Sequence, residues 1–175
     1  MRSDKPRRIA FDAAFAGCAL MLTFVESVIP IASLVPIPGF RLGLANIALM
    51  ACAFFLGRAD AAAVAAVKIT VSAILFSTPT AFLYSLAGTL LSLAGLILIV
   101  SLRRIPFSIT GISVLCAALH NVGQAAVSVA FFGKAALSVL PYLLVVSILS
   151  GIVTGAVMTL LAAPLEKLIT NGGIK

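Results

Sequence analysis

The sequence predicts an all-α integral membrane protein: six transmembrane helices with both termini on the inner side. Three observations carry this. Of the 175 residues, 62% are hydrophobic and 10% charged, with a mean hydropathy of +1.25, and a soluble domain of that size would need far more polar surface. Apolar runs recur along the chain at close to the roughly 20 residues a helix needs to cross the hydrocarbon core. Threading six such runs puts nine of the twelve lysines and arginines on one side (Arg2, Lys5, Arg7, Arg8, Arg58, Arg103, Arg104, Lys167 and Lys175) and two, Arg41 and Lys134, on the other. That bias is the positive-inside pattern of a multi-pass protein of the cell membrane, in bacteria the inner, cytoplasmic one.

The first span, Ile9–Ile29, follows the basic start MRSDKPRR. It is too long for a signal-peptide core, contains Asp12 and Glu26, and lacks a small-residue cleavage site, so it reads as a retained helix. Prolines and glycines between Pro30 and Gly39 break the chain. The second span, Leu42–Leu56, is short, which suits a discontinuous helix facing a cavity. Gly57-Arg58 separates it from the third, Ala59–Ser77. Pro79 suits the first turn of the fourth, Thr80–Ser101, because a missing N–H costs nothing there. Arg103-Arg104-Ile105-Pro106 ends that span. The fifth is Phe107–Phe132, stopped by Gly133-Lys134. The sixth is Pro141–Leu161, opened by Pro141 and bounded by Ala163-Pro164. No linker or low-complexity segment divides the chain, so 1–175 reads as one domain.

Several function classes drop out at this level. The net charge of +7 comes from basic residues placed singly or in pairs at the ends of apolar runs, with no aromatic-interleaved patch, so nucleic acid is not a partner. Cys18, Cys52 and Cys116 lie separately inside apolar runs, with no CxxC spacing and no cluster with the lone His120; they read as small packing residues, and no metal site is expected. There is no haem pair or iron–sulfur spacing, and no cofactor is expected.

The polar residues inside the spans stand out against this background. Glu26 lies one turn from the outer end of the first helix, Arg41 at the mouth of the second, and Asn46 about one turn into it. Lys68 sits near the middle of the third span. His120, Asn121 and Gln124 occupy the middle of the fifth in the string HNVGQ, with His120 and Gln124 on one helix face. A charge at the bilayer centre costs at least about 2.5–3.5 kcal/mol, so Lys68 must face the bundle interior, with a partner or a wet cavity. The bland alternatives are an ion pair between Lys68 and Glu26, interhelical hydrogen bonds for His120, Asn121 and Gln124, and a solvated loop charge for Arg41. Convergence on the outer half favours a binding site instead. Asp12, near the inner interface, reads as an N-terminal helix charge favoured by the dipole.

Small residues mark packing faces. Ala10, Ala14 and Cys18 are spaced by four in the first helix, as are Ala13 and Gly17, and Gly151 to Gly155 is a GxxxG motif.

The string GFRLGLANIALMACAFFLG, together with VKITVSAILFSTPTAFLYSLAGTLLS around Lys68 and HNVGQ at His120 to Gln124, resembles the Gx transporter family, also described as heptaprenyl diphosphate synthase component I. The resemblance runs over most of the chain, roughly Phe11 to Leu161. Lys68 stands where the family more often carries arginine, which keeps the charge but not the planar fork. The family is in turn similar to the substrate-binding S-components of energy-coupling factor transporters. That likeness implies an S-component-like bundle with a ligand site near the outer face. It also implies docking of a transmembrane coupling subunit, itself joined to ATPases, on the first-helix face of Ala10, Ala13, Ala14 and Gly17.

The leading expectation is a substrate-binding subunit of a small-molecule uptake system in which Glu26, Arg41, Asn46, Lys68, His120, Asn121 and Gln124 hold the ligand, anionic or vitamin- or isoprenoid-like. It is not an enzyme, and with no GxxxxGKS or GxxxxGKT motif any energy comes from partner subunits. The alternative is a non-catalytic membrane accessory of prenyl diphosphate or quinone synthesis, or of a flavin- or quinone-linked electron-transfer system. The five acids, Asp4, Asp12, Glu26, Asp60 and Glu166, are isolated and form no DDxxD cluster to hold magnesium against a diphosphate.

Overall fold

The computed structural model describes residues 5–28, 41–102 and 107–171, with Phe76 by its backbone alone. The stretch Pro36–Phe40, and Arg2, Arg103, Arg104 and Lys175, lie outside the described residues. Six α-helices follow in order: α1 Lys5–Val28, α2 Asn46–Phe55, α3 Arg58–Phe76, α4 Pro79–Val100, α5 Ile109–Phe132 and α6 Leu140–Asn171. A 3-10 stretch, Lys134–Val139, joins α5 to α6, and there is no strand among the described residues. Four helical stretches are long and apolar enough to cross a membrane: α1, α4, α5, and α6 with its 3-10 lead. Of the other two, α2 has ten residues, about 15 Å of helix, and α3 carries Arg58, Asp60 and Lys68.

Local chemistry sets the ends. Thr78 caps α4 by accepting from the Ala81 N–H at 3.2 Å, with Pro79 as the first helical residue. Ser108 caps α5 in the same way through Gly111 at 3.1 Å. The expected break at Ala163-Pro164 does not occur. Pro164 sits inside α6 and the helix runs to Asn171. The reason is a continuing apolar stripe: Met158 and Ile169 are buried in the main core cluster, with Leu165 packed against it. That burial outweighs the one backbone bond the proline removes.

The short helix α2 is the hub, packing on α1, α3, α4, α5 and α6. Ala48 to Ala53 are all buried, which explains a sequence with almost no polar atoms. Around it, α1 packs on α3, α3 on α4, α4 on α5 and α5 on α6, whereas α1 makes no extended contact with α6. The outer surface is apolar: Ile74, Leu98, Leu149 and Leu160 are all more than 60% exposed. Polar groups, by contrast, are buried inside, the pattern of a protein dissolved in lipid.

Two features hold the helices in place. The GxxxG of α6 meets α5, where a Cβ at Gly151 would lie 2.5 Å from the Val114 Cα and one at Gly155 2.7 Å from the Thr110 Cα. Ser113 and Thr154 share a 2.7 Å hydroxyl bond on the same seam. At the basic end, Arg8 forks onto Asp60, Nε to Oδ1 at 2.9 Å and Nη2 to Oδ2 at 2.6 Å, while Nη2 also donates to the Leu56 carbonyl at 3.0 Å. Asp60, which looks isolated in the sequence, therefore ties α1 to the α2–α3 turn.

The seam predicts that Gly151→Leu overpacks α5 against α6 and lowers stability by about 1–3 kcal/mol. Gly17→Leu, where a Cβ meets nothing within 4 Å, should not lower it. Thermal unfolding of the two variants in one detergent checks the difference.

Candidate ligand chamber

Between the last turn of α1 and the start of α2 the chain is not helical from Arg41 to Gly43, yet Arg41 is buried. Backbone in that setting must have its N–H and C=O groups bonded. Gln124 on α5 does this for Arg41: its Oε1 accepts from the Arg41 N–H at 3.0 Å and its Nε2 donates to the Arg41 carbonyl at 2.7 Å. Glu26 does it for Leu44, whose N–H donates to Oε1. The Arg41 side chain reaches away, with Nη2 donating to the Ser77 hydroxyl at 3.1 Å and Nη1 directed at the Thr23 carbonyl at 3.5 Å. Arg41 is thus no solvated loop charge.

Asn121 turns the other way, toward α6. Its Nδ2 donates to the Leu143 carbonyl at 3.0 Å and to the Ser147 hydroxyl at 2.7 Å, and its Oδ1 accepts weakly from Gln124 at 3.3 Å. Lys68 is 3% exposed. Its ammonium donates to two hydroxyls one turn apart on α4, Thr89 at 2.9 Å and Ser85 at 3.2 Å. Glu26 is within electrostatic reach of Lys68 and Arg41 but forms an ion pair with neither. The buried cluster therefore holds two cations and one carboxylate without direct pairing.

His120 and Asn46 differ from the rest. His120 is 1% exposed, and neither ring nitrogen has a hydrogen-bond partner among the described residues. The amide oxygen and nitrogen of Asn46 are buried and unpartnered too. The two groups are neighbours: a Cβ at Gly43 would lie 3.1 Å from the Asn46 Nδ2 and 3.2 Å from the His120 Cδ2. Gly43 adopts a φ of 82° and so suits glycine doubly, by conformation and by space. On the opposite side Gly88 makes room for the ring, since a Cβ there would fall 2.7 Å from the imidazole Cε1. Lys68, bonded to Thr89 on the same helix α4, lies within electrostatic reach of the His120 ring.

Seven residues expected to hold a ligand thus gather around the Arg41–Asn46 segment but divide by occupation. Glu26, Arg41, Asn121 and Gln124 bond to protein groups, Lys68 to hydroxyls, and His120 and Asn46 to nothing among the described residues. Unpartnered buried polar groups cost about 1–3 kcal/mol each, a cost that a ligand or water reaching them would relieve. Gly43, Ser77, Ser85, Gly88 and Thr89 are essential to this arrangement and are missed by reading the sequence. The i, i+4 pair Ser85 and Thr89 was the available signal.

On the flank, Ala10, Ala13, Ala14 and Gly17 are all exposed on α1. Two of them, Ala14 and Gly17, line a cleft of about 710 Å³ whose walls are α1, α2 and α6, together with Met21, Ile47, Ala51 and Leu161.

The Gln124 clip predicts that Gln124→Leu leaves both backbone groups of Arg41 unpaired, at about 1–3 kcal/mol each. Amide hydrogen exchange should accelerate at 41–45 before any other part of the core, and an unchanged rate there would mean the clip bears no load.

A family model described as heptaprenyl diphosphate synthase component I matches residues 15–161 of the chain. No curated protein and no solved structure matches it.

Proposed function

The chain belongs to the heptaprenyl diphosphate synthase component I family, and from that premise and the chamber we propose that it is a substrate-binding membrane subunit of a small-molecule uptake system. The observation that carries this reading is the pair of buried, adjacent and unpartnered groups, His120 and Asn46. In this reading all six helices cross the membrane, α2 as a short inner span, with both termini in the cytoplasm. The chamber then faces outward. His120 and Asn46 bind the ligand directly, and Lys68 adds a cation one residue along α4 from the ring's seat. Glu26, Arg41, Asn121 and Gln124 build the wall and fix the Arg41–Ala45 segment over it. Energy comes from partners, a transmembrane coupling subunit and ATPases, with the exposed small face Ala10, Ala13, Ala14 and Gly17 as the docking surface.

A second reading takes the family description as the chain's role: a non-catalytic membrane accessory of prenyl diphosphate synthesis. What favours it is the apolar cleft beside the chamber, a feature that a carrier of purely polar solutes does not need. The isolated acids argue against catalysis by this chain in either reading.

Thermal stabilisation by candidate anionic ligands separates the chamber from its surroundings. Wild type should be stabilised, and His120→Ala and Asn46→Ala should lose at least about 1.4 kcal/mol of binding free energy, a tenfold change. Lys68→Ala should lose a similar amount. Equal stabilisation of wild type and the His120 variant would remove His120 from the site. Copurification decides between the two readings. Recovery of a coupling subunit with ATPases supports uptake, and a soluble prenyl synthase as sole partner supports the accessory role.

A further inference from the structure

We propose that a small pocket at the basic end of the bundle, with the Glu166 carboxylate in its wall, takes the arginine side chain of a partner protein. The inference uses neither the chamber nor its ligand.

The pocket follows from the continuation of α6 through Pro164. Met158, Ala162 and Glu166 are spaced by four, so they share one face of that helix, and all three line the pocket. Had α6 stopped at Ala163, Glu166 would not stand on that face. Phe54 and Phe55, the last two residues of α2, and Ile109, the first of α5, complete the lining. The volume is about 240 Å³. That is below the roughly 300–1,000 Å³ of a site for a whole small molecule and suits one long side chain. The pocket lies at the basic end because Leu56, next after Phe55, gives its carbonyl to Arg8.

Charge selects the guest. Glu166 is exposed and forms no ion pair among the described residues. Its own helix offers no partner: the positions three and four away are Ala162, Ala163, Ile169 and Thr170, and Lys167, adjacent in sequence, does not face it. The Arg8 fork is already spent on Asp60. α2 ends at the pocket with no basic side chain in its last turn, so its partial negative charge acts in the same sense as the carboxylate. α5 begins there with the opposite partial charge, and Ser108 caps that end. The remaining walls are phenylalanine, isoleucine, methionine and alanine, which fit a methylene stem whose charged head reaches the carboxylate. Arginine meets both demands best, because its planar fork pairs bidentately with a carboxylate and stacks on aromatic rings.

The test titrates the purified wild-type chain with butylguanidinium, neutral butylurea and ethanolamine, read by ligand-detected NMR. Butylguanidinium should bind about fivefold tighter than butylurea, the upper end of what a partly exposed ion pair contributes. Glu166→Gln should abolish that ratio and leave butylurea unchanged, which also controls for folding. Ala162→Leu should weaken both butyl compounds. For the partner, a benzoylphenylalanine in place of exposed Ala163, beside the pocket, is photoactivated in intact cells. It should crosslink to a protein peptide that contains arginine, and Glu166→Gln should remove that product. Equal binding of butylguanidinium and butylurea, or a ratio unchanged in Glu166→Gln, overturns the site. Tighter binding of ethanolamine, or a crosslink to lipid alone, assigns the pocket to a lipid head and overturns the protein partner.

Discussion

The paired hydrogen bonds between the Gln124 amide and the Arg41 backbone are the interaction on which the rest of the structure depends. A chain that leaves the helical path in apolar surroundings exposes N–H and C=O groups that no water can satisfy. Here one side chain answers both groups of one residue, at 3.0 and 2.7 Å, and Glu26 answers the Leu44 N–H. With those bonds in place, Gly43 can turn at φ 82° against the His120 ring, and α2 can begin at mid-bundle as a ten-residue hub. Without them the entry to α2 would have to move toward the surface, taking with it the packing of that helix on its five neighbours.

This constraint reinterprets most of the buried polarity. Polar residues within membrane helices signal function by default, and seven of them converging on one end looks like a ligand site. Four are consumed by the fold: Glu26 and Gln124 hold backbone, Asn121 joins α5 to α6, and the Arg41 guanidinium joins the segment to Ser77. The function is concentrated in what remains. Lys68 has hydroxyl partners, which can yield to an anion at little cost because both remain free to bond elsewhere. His120 and Asn46 have no side-chain partners to give up among the described residues, so a guest there would add hydrogen bonds rather than replace them.

Much of this was legible in the sequence, for identifiable reasons. Proline and glycine chemistry marks the helix starts at Pro79 and Pro141, and the GxxxG of α6 announces the close approach to α5. Convergence of polar residues at one end was also readable, because depth along a helix is fixed by counting residues. What could not be read was which polar group meets which. The Lys68–Glu26 pair was the natural guess from charge alone, whereas the ammonium chose Ser85 and Thr89, a choice made by the rotation of α3 against α4. Arg8 and Asp60 lie 52 positions apart and meet because the starts of α1 and α3 share one end of the bundle. The run through Pro164 was misread because a local breaker was weighed without the apolar stripe that continues to Ile169.

The cleft arises from the same economy of side chains. The hub helix α2 buries Ala48, Ala51 and Ala53 beside Leu49 and Met50, and its small residues leave unfilled space wherever a neighbour does not close in. Between α1 and α6, among the described residues, no neighbour does. Filling that space from within would have required larger residues at Gly17, Ala48 or Ala51. The apolar cleft and the polar chamber thus share one short helix.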